Sequence, residues 1–249
     1  MFSKKNQLTN ITRLSLITFL ILSSIISFNS CEKHTHDITT TFEPATSRTA
    51  LDHAYACEEI LGPLPKFSCS DAIEVPSTQN GVPVTFPSGE EGSGSTNPND
   101  CDHPWAFGMA CQTGNKVGRY QGLNIDGTEN PDVVFITFCR DGGLGVIGYK
   151  YSTGETCFFS IQDNANPNNP PKPGDSEYND AWMNPSIVAA DKCVNCHMAS
   201  PFIHSPAVDQ LKNPQDTSEL LVPFTGNAPY IVIGAEFQQP YTTNIQNSC

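Results

Sequence analysis

Cys193-Val194-Asn195-Cys196-His197 sets two thiols three positions apart with an imidazole directly after them. Thiols at that spacing can add to the two vinyl groups of one porphyrin, and the next residue can ligate its iron from one face. The chemistry expected is covalent attachment of one c-type haem, with Cys193 and Cys196 as the attachment points and His197 as an axial iron ligand. With 10 Cys and 6 His in 249 residues, chance would produce such a pentad in about one chain of this composition in a hundred. The chemical rivals are weaker. A thioredoxin-like redox pair wants a βαβ setting, and half a zinc site wants a second Cys-x-x-Cys, which the chain lacks.

The iron's opposite face decides what such a haem would do. Met198, the only Met beyond His197, adjoins it and cannot reach that face, which departs from the small helical cytochromes c that the pentad resembles. The candidates for a sixth ligand are His204, Met183, Met109 and His103. His204 lies seven residues past His197, held between Pro201 and Pro206, and a link of that length spans at most about 25 Å. Met183 stands beside Trp182 ahead of the pentad, where both are expected to pack on the haem more than to ligate it. With both axial positions filled by side chains, the haem exchanges electrons only. With one open, nitric oxide, carbon monoxide or peroxide can bind, and enzyme or sensor chemistry follows. A third reading makes the haem a structural staple in a non-redox module. No nucleophile-and-base set is visible, and His53 and His103 read as surface or capping residues, which favours an electron carrier over an enzyme.

Covalent haem attachment in bacteria takes place outside the cytoplasm, and the N-terminus agrees with export. Lys4, Lys5 and Arg13 precede an apolar and small-residue run from Leu14 to Phe28. Phe28-Asn29-Ser30-Cys31 resembles a lipobox, although that family prefers Leu in place of Phe28 and a small residue in place of Asn29. The resemblance implies a lipid on Cys31 and a periplasmic or outer-membrane lipoprotein. The alternative is a soluble periplasmic protein with Cys31 in a disulfide. Without residues 1–30 the chain keeps ten of its 13 Lys and Arg against 26 Asp and Glu, a balance of −16. Such a field repels nucleic acid and suits a basic redox partner, or serves solubility alone.

The remaining elements must position the pentad. Residues 31–56 read as a flexible tether, 57–100 as a disulfide-bearing N-terminal segment and linker, and 101–249 as a β-rich haem domain. His34 and His36 in the tether read as solvated residues. A hairpin is expected around Asn80-Gly81. Strands are expected at Val117–Ile125, Val133–Cys139, Leu144–Tyr151 and Thr156–Gln162, with Asp126-Gly127, Asp141-Gly142-Gly143 and Ser152-Thr153-Gly154 turning between them. That pattern is an antiparallel meander. Asp163–Asp175 reads as a surface loop. A helix should start at Pro185, capped by Asn184, and run through the pentad to Pro201. A short helix beginning at Ser205-Pro206 and a last strand at Pro229–Phe237 follow.

The fold class expected is α+β: an antiparallel meander followed by a C-terminal helical haem-attachment segment, with disulfides. Short loops suggest Cys57–Cys69 and Cys101–Cys111. Cys139 and Cys157 sit on strands flanking a shared neighbour, about 9–10 Å apart, beyond the roughly 7 Å a disulfide allows. A β-rich region with a late haem motif, here Lys116 to His197, resembles the layout of the cytochrome P460 and c′-beta group. The resemblance implies an open sixth site. Against it, 52 residues follow His197, and no equivalent of that group's cross-linking Lys is identifiable.

Overall fold

Alternating apolar residues build the centre of the protein. The computed structural model describes residues 48–85, 94–95, 101–105, 111–140, 142–190, 197, 199–225 and 229–237. The elements are α1 (Ala50–Leu61), β1 (Ile73–Glu74), β2 (Thr78–Gln79), β3 (Val82–Pro83), β4 (Gly94–Ser95), β5 (Cys111–Gln112), β6 (Lys116–Leu123), β7 (Glu129–Arg140), β8 (Gly143–Lys150) and β9 (Glu155–Ser160). After them come α2 (Tyr178–Ala181), α3 (Pro185–Ala190), α4 (Pro206–Asp209), β10 (Lys212–Asn213), β11 (Asp216–Leu220), β12 (Ile231–Val232) and a 3₁₀ turn at Ala235–Phe237.

One six-stranded sheet runs in the order β1-β6-β7-β8-β9-β12. Strands β6 to β9 form the expected antiparallel meander, with Ile136 opposite Ile147 and Gly148 opposite Cys157. The hairpin at Asn80-Gly81 is present as β2 and β3. The last strand is shorter than expected: only Ile231–Val232 pairs, parallel to β9, before the chain turns into the 3₁₀ segment. Its path is fixed by Gly154, where an added Cβ would lie 1.3 Å from the Pro229 carbonyl oxygen at a φ of +81°. No side chain fits there.

Side chains alternate across the sheet and make two cores. Val133, Phe135, Cys139, Leu144, Val146, Cys157 and Phe159 face one way, against α1, Tyr178 and Trp182. Val134, Ile136, Ile147, Tyr149 and Phe158 face the other, against Val188, Phe202, Ala207, Val208 and Phe237.

Helix α1 corrects the tether expected over residues 31–56, because it begins at Ala50. Thr49 and Asp52 form a reciprocal capping box, and Ala50, His53, Ala54, Cys57 and Leu61 are the buried stripe. The disulfides correct the expected Cys57–Cys69 link. Cys57 joins Cys157 and Cys69 joins Cys139, with Cα separations of 6.3 and 5.7 Å. The physical reason is that α1 and the segment after it pack into one core with the sheet, so Cys57 on the helix and Cys69 beyond it each meet a strand cysteine there. The exclusion of a Cys139–Cys157 pair stands. Cys101 is also disulfide-bonded.

Close packing of α1 depends on Gly148 of β8. A Cβ there would sit 2.5 Å from the Phe135 ring and 2.9 Å from Leu61. Gly148→Ala is expected to cost about 1–3 kcal/mol by overpacking, read as a lower urea midpoint. Unchanged stability would mean that ring and helix move aside freely.

Candidate functional site

Helix α3 starts as the sequence requires. The Asn184 Oδ1 accepts from the Ile187 N–H at 3.2 Å and from the Ser186 hydroxyl at 2.7 Å. Val188 is buried with Phe158 in the second core. Described helix ends at Ala190, Cys193 and Cys196 lie outside the described residues, and the backbone bends at His197. A helix carrying the pentad is therefore not shown among the described residues.

His197 packs on the second core, its ring 5.5 Å from that of Phe158 at 56°. Burial holds its pKa below the ordinary histidine value, against hydrogen bonding to the backbone at Pro201 and Ser200. Its Nδ1 is buried without a hydrogen-bond partner. So is the Oγ of Ser205, the N-cap residue of α4, which packs into the same core. Buried polar atoms are nearly always paired, so these two stand out, as do the Nδ1 of His53 and the Oγ1 of Thr137 elsewhere in the core.

Trp182 and Met183 do not act together. Trp182 is 3% exposed and packs in the core under α1. It stacks on Tyr178 at 5.8 Å and donates from Nε1 to the Pro171 carbonyl at 2.8 Å. Met183, one residue on, packs against the second core. Trp182 pairs with Ile161 as an isolated β-bridge, and extended neighbours point to opposite sides. Trp182, expected to pack on a haem, lies on the face opposite His197. Met183 shares the face of His197.

His204 is held from two sides. Its Nδ1 donates to the Asp209 carboxylate at 2.7 Å, and its ring stacks on Phe224 at 4.1 Å and 18°. His103 is exposed, whereas Met109, Cys31, His34 and His36 lie outside the described residues.

His53 also departs from expectation, because it is 1% exposed rather than on the surface. Its Nε2 donates to the Phe158 carbonyl at 3.1 Å, and its ring lies 5.1 Å from Phe159 and 5.6 Å from Phe237. Desolvation lowers its pKa to about 4, so the ring is neutral at pH 7. His53, Cys57 and Cys157 bring potential metal donors within 4.8 Å of one another. The two sulfurs are bonded to each other, however, and the imidazole N–H is spent on a strand carbonyl. That group is a structural staple in the disulfide form. The i, i+4 spacing of His53 and Cys57 behind the Thr49 cap is the sequence signal that could have revealed it.

A cleft of about 510 Å³ between Lys66 and the Asn169–Lys172 stretch includes neither His197 nor His204. Among the described residues no helix is long and apolar enough to cross a membrane.

Together these features define a sheet-rich α+β body, stapled by disulfides, with Met183 and His197 packed on the second core. No protein-family model, curated protein or solved structure matches the chain.

Proposed function

We propose that the chain is an exported protein that holds one covalent c-type haem and transfers electrons. The observation that carries the reading is the pentad, supported by the buried, unpartnered Nδ1 of His197. Those residues fit the group: Cys193 and Cys196 would supply thioether bonds and His197 an axial nitrogen. When bound, the haem supplies one-electron chemistry. The chain's own part is to orient and shield. Phe158 supports the His197 ring, and Val188 with Phe202 keeps that core dry. The acidic surface would attract a basic partner protein and repel nucleic acid. A lipid on Cys31 would hold the protein at a bacterial membrane on a tether ending by Thr49, where α1 is capped.

A second reading keeps the sixth position open to a small ligand, as the resemblance to the cytochrome P460 and c′-beta layout implies. Absorption spectra of the purified protein separate the two. The expected result is a haem that stays attached on denaturation and a low-spin spectrum unmoved by carbon monoxide. A shift on carbon monoxide would favour the open site, and no attached haem would end both readings.

A further inference from the structure

We propose that His204 is the second axial iron ligand and that Asp209 is its positioning residue, an assignment that rests on the haem reading above. The argument begins with the tautomer. The Asp209 carboxylate can only accept, so the 2.7 Å contact puts the proton of a neutral His204 ring on Nδ1. The lone pair is then on Nε2, the nitrogen turned away from the carboxylate. A carboxylate that fixes the tautomer and orientation of an imidazole also makes its other nitrogen a better metal donor.

The surroundings restrict the ring further. Phe224 lies parallel to it at 4.1 Å although Phe224 itself is 69% exposed, so the pair orders a side chain that would otherwise move freely. Pro201 and Pro206 bracket the segment, and Phe202 on one side and Ala207 and Val208 on the other are anchored in the second core. His197 rests on that same core through Phe158. The segments that carry the two imidazoles therefore dock on one side of the sheet. Met183 shares that side but has no comparable orienting contact, and His103 is exposed.

Haem-bearing full-length protein is compared with His204→Ala and Asp209→Asn by absorption, electron paramagnetic resonance and redox titration. His204→Ala should turn the haem high-spin, and added imidazole should restore the low-spin spectrum, which the loss of a merely structural contact would not permit. Asp209→Asn should stay low-spin with a raised midpoint potential, because a neutral amide leaves the imidazole a weaker donor. Asp209→Asn is nearly isosteric and carries the test if the alanine variant does not fold. A His204→Ala spectrum that stays low-spin and unaltered overturns the ligation, and an unchanged potential in Asp209→Asn overturns the positioning role. A haem-bearing parent that is high-spin ends this assignment alone, whereas a parent with no covalent haem ends the reading beneath it.

Discussion

Replacing Cys57 and Cys157 together by alanine should remove about 4–5 kcal/mol of stability. The bond joins residues 100 apart in sequence, so without it the unfolded chain regains the freedom of a very long loop. Both cysteines are fully buried, and truncation also removes contacts between α1 and β9. A domain with ordinary stability of roughly 5–15 kcal/mol would lose a large part of it. Chemical denaturation of the double variant beside the parent is the measurement. A loss under about 1 kcal/mol with an unchanged denaturant slope would show that packing and the hydrogen bonds of α1 hold it without the disulfide.

Acid should weaken the protein through His53. Its pKa falls from 6.5 to about 4 because burial penalises the imidazolium. Between those values the unfolded state binds the extra proton, so stability rises with pH. The contribution is fully present above about pH 6.5, declines as pH falls, and is lost once pH passes below about 4, amounting to about 3 kcal/mol. Glu236, paired with Arg48 through a 2.7 Å bond, has its pKa lowered by that partner and adds its own loss at lower pH. His53→Gln retains an N–H donor for the Phe158 carbonyl but cannot titrate. Its stability should be flatter between pH 4 and 6.5, and a profile with the parent's slope would assign the acid effect elsewhere.

The meander was legible because its strands obey a period of two and are closed by glycine turns, both local signals. The start of α3 was legible for the same reason, through Asn184 and Pro185. Helix α1 was not, because its buried stripe is built from two alanines, a histidine and a cysteine with a single leucine at its end, so hydrophobic periodicity is faint. Disulfide pairing depends on which strands a distant helix and the segment after it pack against, which no spacing encodes. At the site, thiol and imidazole spacing identifies the pentad without any fold. The split of Trp182 from Met183 follows from one short extended stretch, and the hold of Asp209 on His204 depends on the turn that closes around α4.

The clasp between Arg48 and Glu236 has a mechanical side. Two parallel bonds, Nε to Oε1 at 2.9 Å and Nη2 to Oε2 at 2.7 Å, fasten the point where the chain enters α1. If the preceding residues tether the protein to a membrane, tension reaches this clasp first and the Thr49 cap next. Beyond them it can unwind α1 only as far as Cys57, where a covalent bond passes the load to β9. A pull on the anchor would thus fray at most two turns of helix and leave the sheet and the face bearing His197 in place.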